Sequence, residues 1–184
     1  MQHDNGDVES RRTAALALWR YSHDYLKAAQ TLGETDVVAC NESQVLYHLA
    51  AQGIEFALKS FLRARGVPAE DLSSRIGHAL LEALQEALAR GLATPPAEVV
   101  VAIRFIAPQH RDDQFRYLPA TYGELPTLGP LLHAGTWLLG EIAAEVVADY
   151  FINFGQDSAT ASNDMLRRLR ADLELTVSKV PRLQ

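Results

Sequence analysis

The spacing of apolar residues predicts helices along most of the chain. From Ser10 to about Leu32, apolar side chains recur every three or four positions, and Gly33 is a typical helix end. A longer helix is predicted over Ala39–Arg65, followed by the terminating sequence Gly66-Val67-Pro68. No segment shows the strict alternation of a half-buried strand. The pattern therefore predicts an all-α protein.

The second predicted helix is apolar around most of its circumference, with one narrow polar stripe. The polar positions step by four, three, four and four residues, which places them on a single face. A helix of this kind is normally buried among several others. We expect it to be the central helix of a bundle, with its polar face turned toward a cleft, a partner or water. The stripe consists of His48, Gln52, Glu55, Lys59 and Arg63.

Two shorter helices are predicted next. One begins near Ser74 or Arg75 and ends at Gly91. The other starts at Thr94-Pro95-Pro96, with Thr94 as a candidate cap, and stops by Pro108. The prolines and glycines of residues 109–129 then predict a long loop, and loops of this length in compact domains are often functional.

The last part of the chain predicts one long helix, Pro130 to about Phe154, and a C-terminal helix that Asn163 could cap. The expected organisation is a disordered tail over residues 1–9, a helical bundle over 10–155 and a helical extension over 156–184. This gives about five main helices plus the C-terminal helix.

Composition narrows the classes of function. The formal charge of −6 argues against a broad nucleic-acid-coating surface, although it allows a small positive pocket. Cys40 is the only cysteine of the 184 residues, which rules out an internal disulfide and a cysteine-based zinc site. Acidic residues interrupt the most apolar segment, Leu131–Phe154, so we predict no membrane span. A cytoplasmic protein is the expectation.

Three short motifs carry a resemblance to a known family. Glu55-Phe56-Ala57-Leu58-Lys59 lies in the long helix, Gly77-His78-Ala79-Leu80 follows the Gly66 turn, and Phe115-Arg116-Tyr117 precedes the last long helix. Together they resemble the HEPN domain (higher eukaryotes and prokaryotes nucleotide-binding) over about residues 10–154. The resemblance implies an antiparallel helical bundle that dimerises. It also implies a module that binds RNA, a nucleotide or a partner protein, without a cofactor or metal, in a cleft lined by Glu55, Lys59, His78, Arg111, Arg116 and Tyr117.

Many HEPN proteins are metal-independent endoribonucleases of toxin or defence systems, with an Arg-x(4–6)-His motif and a cognate antitoxin. This chain contains Arg104 and His110 with five residues between them, although Phe105 stands where the family usually has a polar residue. The alternative function is thus RNA cleavage with His110 as general acid or base and Arg104 and Arg116 holding phosphate. The simpler interpretation is a solvated loop, neutralised by Asp112 and Asp113.

Other polar residues also have simpler interpretations. Glu55 and Lys59 have the spacing of an intrahelical ion pair. His78 can be oriented by Glu82 or can bond a loop carbonyl. The acidic stripe of the last long helix, near His133, lacks the Glu-x-x-His pattern of carboxylate metal bundles. We therefore predict that this stripe is the solvent-exposed face of the helix and not a metal site.

Overall fold

The computed structural model describes residues 14–35, 44–112, 127–154 and 159–177. All regular structure in these ranges is helical, which confirms the all-α prediction. Residues 1–9 and most of the predicted 109–129 loop lie outside the described ranges. The helices are α1 (Ala15–Gly33), α2 (Gln44–Ala64), the single-turn α3 (Ala69–Asp71), α4 (Leu80–Ala89), α5 (Ala97–Arg111), α6 (Leu128–Phe154) and α7 (Ala159–Val177).

Helix α2 is the centre of the bundle, as its apolar circumference predicted. It packs against α1, α4, α5 and α6, and most of its side chains are fully buried. It ends at Ala64, and the chain turns at Gly66, whose φ of 83° is accessible to glycine at little cost. The polar stripe is turned mostly inward: Gln52 and Glu55 are buried, and His48, Lys59 and Arg63 are partly buried.

Helices α1, α2 and α6 approach closely around Leu26. A Cβ atom added at Gly53 of α2 would lie 2.6 Å from Leu26 Cγ, and one added at Gly135 of α6 would lie 2.6 Å from both Leu26 Cδ atoms. Two buried side chains of α1 also form hydrogen bonds to α2 and α6. Ser22 Oγ donates to Gly53 O at 2.7 Å, and Trp19 Nε1 donates to Leu139 O at 3.0 Å. The two glycines therefore allow α2 and α6 to pack closely against Leu26 of α1.

The segment between α2 and α4 differs from the prediction of a helix starting near Ser74 or Arg75. After α3 the chain forms a π-helical turn over Leu72–Ile76 and then breaks at Gly77, which has a φ of 52°. The regular helix α4 begins only at Leu80. The left-handed backbone at Gly77 interrupts the helix. His78 therefore lies in a break between two helical segments.

Both predicted ends of α5 were wrong. Thr94 is not its cap, because the residue preceding the helix is Pro96 and no side chain caps this end. The helix also continues through Pro108 to Arg111. Proline removes one backbone hydrogen bond and crowds the carbonyl one turn earlier, which is tolerated here because only three helical residues follow it. His110 consequently lies in the last turn of α5 rather than in a loop.

Helix α6 begins slightly before the predicted Pro130. Among the described residues it is the one helix long and apolar enough to cross a membrane, a test that core helices of soluble bundles also pass. It packs against α1, α2, α5 and α7, with Glu141 exposed and Glu145 bonded to Arg65 at 2.9 Å. Partial burial raises the pKa of Asp149.

Helix α7 begins at Ala159, so Asn163 lies inside the helix and not at its cap. It packs against α6, and two of its leucines, Leu169 and Leu173, are buried in the main hydrophobic core. The C-terminal helix is thus part of the same core.

Candidate functional site

Three separate segments meet at the carboxylate of Glu55. Glu55 lies in the middle of α2, His78 in the Gly77 break before α4, and His110 in the last turn of α5. Lys59, one turn after Glu55, contacts the same carboxylate. We call Glu55, Lys59, His78 and His110 the Glu55 cluster. The features that the sequence did not predict, the break at Gly77 and the helical continuation past Pro108, bring both histidines into it.

Both carboxylate oxygens of Glu55 have partners. Lys59 Nζ donates to Oε1 at 2.6 Å. On the other oxygen, Oε2, His78 Nδ1 lies at 2.9 Å and His110 Nε2 at 2.5 Å. The two imidazole rings meet edge to face, with their centroids 5.6 Å apart. An ionised carboxylate only accepts hydrogen bonds, so the nitrogens that face it carry hydrogen.

The contacts of Glu55 keep it ionised in an apolar environment. Burial alone would raise its pKa, because it penalises the charged form. The hydrogen bond from His110, the charge and hydrogen bond of Lys59, and the hydrogen bond from His78 outweigh this penalty and lower the pKa of Glu55 from 4.5 to about 2. The carboxylate is therefore a permanent anion at neutral pH.

The two histidines differ sharply in access to solvent. The His110 side chain is 2% exposed, whereas that of His78 is 42% exposed. With Nδ1 of His78 bonded to Glu55, Nε2 is its outer ring nitrogen, and it has no hydrogen bond to another described residue. A buried carboxylate thus orients one accessible imidazole, while His110 supports that carboxylate from inside.

One sequence prediction for these residues is confirmed and another is wrong. The intrahelical pair of Glu55 and Lys59 is confirmed. His78 is oriented neither by Glu82 nor by a loop carbonyl, because Glu55 is its partner. The sequence offered a signal for this contact, since Glu55 and His78 both belonged to the motifs. It offered none for His110 and Glu55, which are 55 residues apart.

The structure does not bring Arg104 to His110. Arg104 is exposed on α5, His110 is buried, and no hydrogen bond or ion pair joins them among the described residues. Arg111, the next residue after His110, is exposed, and its guanidinium lies 3.9 Å from the carboxylate of Glu82 on α4. Arg116, Tyr117 and Asp113 lie outside the described ranges.

The cluster also contains donors suited to a metal ion. Glu55, His78 and His110 each offer one nitrogen or oxygen atom, and these atoms all lie within 4.8 Å of one another. The sequence predicted no metal ligands, because it contains no Glu-x-x-His pattern. Here the three donors come from three different segments.

No protein-family model, curated protein or solved structure matches this chain. The resemblance to HEPN domains is carried by the sequence motifs alone.

Proposed function

We propose that this chain is a HEPN-like helical module that binds RNA at the exposed side of the Glu55 cluster. The observation that carries the proposal is His78, an accessible imidazole held in place by a buried, permanently ionised carboxylate. Groups that are oriented in this way from inside a fold are more typical of functional sites than of a solvated surface. The HEPN resemblance supplies the class of ligand.

Two cationic side chains able to bind phosphate make ion pairs with neighbours of His78. Lys59 contacts the same carboxylate as His78, and Arg111 lies beside Glu82, four residues after His78 in the chain. The Arg111–Glu82 pair is long and both side chains are more than half exposed, so it is weak and readily exchanged. Guanidinium binds a phosphate through two parallel hydrogen bonds, which makes Arg111 the principal phosphate ligand of the proposal.

The net charge of −6 makes the expected contact a local one. Two or three phosphate contacts to single-stranded RNA correspond to a slope of roughly −1.5 to −2 in a plot of log K against log salt concentration. A much steeper slope would indicate a broad basic surface, which this composition does not provide.

The test is the binding of a fluorescein-labelled single-stranded RNA, followed by anisotropy in EDTA. We expect His78→Ala and Arg111→Ala each to raise Kd roughly five- to tenfold, the loss of about 1 kcal/mol that one phosphate contact contributes. The matched controls are His133→Ala and Arg167→Ala, which remove exposed side chains on α6 and α7. Equal Kd values for site and control variants, or no binding by the wild-type protein, would overturn the proposal.

A metal-independent endoribonuclease is the second candidate, and the Glu55–His78 contact favours it. With Nδ1 fixed on the carboxylate, Nε2 of a neutral His78 can accept a proton from a ribose 2′-hydroxyl, and Arg111 can stabilise the developing phosphorane charge. This assigns the acid–base role to His78 rather than to the buried His110. Arg104 has no part in it.

Cleavage of a mixed RNA in excess EDTA tests this candidate. Attack by the 2′-hydroxyl leaves 2′,3′-cyclic phosphate ends, and we expect His78→Ala to remove the activity and His133→Ala to keep it. Intact RNA after incubation with the wild-type protein at high concentration would reject catalysis and leave binding as the function.

The same proposal includes a homodimer, a cytoplasmic location and a cognate antitoxin or other protein partner. The resemblance and the composition imply these features. One structural feature supports a protein partner. Helix α5 exposes Val101 and Phe105 on one face, at 64% and 38% of their surface.

A further inference from the structure

We infer that Glu55, His78 and His110 form a binding site for one zinc-class divalent transition-metal ion. Two imidazole nitrogens and one carboxylate oxygen are a donor set that zinc accepts in sites with an open position. Magnesium and calcium prefer oxygen ligands, so this donor set disfavours both. The inference goes beyond RNA binding and does not depend on it.

The three donor atoms need to shift only slightly to reach the spacing of zinc ligands. Zinc ligands at about 2.0–2.1 Å in a tetrahedral arrangement lie roughly 3.3 Å from one another. Glu55 Oε2 is now 2.9 Å from His78 Nδ1 and 2.5 Å from His110 Nε2, so these pairs must separate by less than about 1 Å to reach that spacing. No pair of donor atoms exceeds 4.8 Å. Side-chain rotation is sufficient to close such a set around an ion.

The surroundings of the donors resemble those of an open metal site. Glu55 and His110 are buried, so the surrounding core holds two of the three ligands in place. His78 is partly exposed, which leaves a side from which water can supply a fourth ligand. Lys59 fixes the second carboxylate oxygen by its 2.6 Å hydrogen bond, the kind of outer contact that orients a metal ligand.

Two consequences distinguish this site from a surface histidine that binds metal adventitiously. The ion takes the place of the hydrogen on each facing nitrogen, so in a neutral imidazole that hydrogen must move to the other ring nitrogen. The ion takes two of its three ligands from the core, so loss of a buried donor should weaken the affinity, as loss of His78 does.

The experiment titrates the full chain, free of any histidine tag and stripped with EDTA, with ZnCl₂ by calorimetry and with CoCl₂ by absorption spectroscopy. We expect one ion per chain and cobalt absorption bands typical of a low coordination number. His78→Ala should weaken binding at least about tenfold, and His133→Ala, which removes an exposed histidine on α6, should leave it unchanged.

His78 is the variant of choice because it is the least buried ligand. Circular dichroism verifies that each variant is folded, and Glu55→Gln provides a second ligand variant. The absence of zinc and cobalt binding in the wild-type chain would overturn the site. Equal affinity of His78→Ala and His133→Ala would do the same. Neither outcome affects RNA binding, which is measured in EDTA.

Discussion

At the scale of single residues, Glu55 shows how a charge is accommodated in an otherwise apolar helix. An isolated carboxylate at this depth would be neutralised or would destabilise the fold by several kcal/mol. Three donors from α2, the Gly77 break and α5 instead satisfy both of its oxygens. The same contacts that solve the burial problem orient His78 toward solvent.

Removing this charge should destabilise the protein at neutral pH. We expect Glu55→Gln to lower the free energy of unfolding by about 3 kcal/mol, because it leaves Lys59 and His110 without their anion. The measurement is urea denaturation followed by circular dichroism. Glu141→Gln, which changes an exposed carboxylate on α6, is the matched control and should stay within about 0.5 kcal/mol of wild type.

The pH dependence of stability should carry the signature of Glu55. Its folded-state pKa of about 2 lies below the ordinary 4.5, so its contribution is complete above pH 4.5 and is lost as the pH falls toward 2. A shift of this size corresponds to on the order of 3 kcal/mol.

In metal-free buffer, the stability difference between wild type and Glu55→Gln should therefore shrink across that window. A constant difference down to pH 2 would show that the carboxylate is not held as an anion by its partners.

At the scale of elements, two glycines set how closely α2 and α6 pack against α1. Leu26 of α1 is 1% exposed and lies between Gly53 and Gly135. Its side chain is therefore enclosed on both sides. Interiors are packed as densely as organic crystals, and an added methyl group displaces its neighbours.

This packing predicts opposite effects for two substitutions in one helix. Gly135→Ala should destabilise the protein by about 1–3 kcal/mol, since its Cβ would lie 2.6 Å from Leu26 Cδ1 and Cδ2. Gly140→Ala meets no heavy atom within 4 Å and should stabilise α6 by about 0.5–1 kcal/mol. Thermal melts of the two variants compare them directly. Similar shifts for both would contradict the close contact at Leu26.

At the scale of the whole molecule, we expect the predicted dimer to cover the outer face of α5. Val101, Arg104, Phe105 and Pro108 are exposed at helical spacing on this face. The position of Arg104 there, away from the Glu55 cluster, fits a residue of an interface better than a partner of His110.

The predicted homodimer can be tested through this face. Light scattering coupled to gel filtration should show a dimer for the wild-type chain and a larger monomer fraction for Val101→Lys, because a charge in a contact surface is desolvated without a partner. Val45→Lys, at an exposed valine of α2, is the control and should leave the dimer intact. A wild-type monomer at high concentration would reject the dimer.

Much of the architecture follows from local features of the sequence. The helical period of α1, α2 and α6 and the glycine end of α2 are properties of neighbouring residues, and they predicted those elements and the central place of α2. The pair of Glu55 and Lys59 was predictable for the same reason, because a spacing of four places two side chains on one face.

The site itself was decided by tertiary structure. The sequence indicated a helix through Gly77, because the apolar spacing around it is helical, and a helix end at Pro108, because proline usually ends a helix. The fold instead has a break at the first position and helix at the second. These two departures carry His78 and His110 to Glu55, from 23 and 55 residues away. Periodicity reports only the face of a helix on which a residue lies. Which faces meet depends on how the helices cross, and on the need of a buried carboxylate for hydrogen-bond donors.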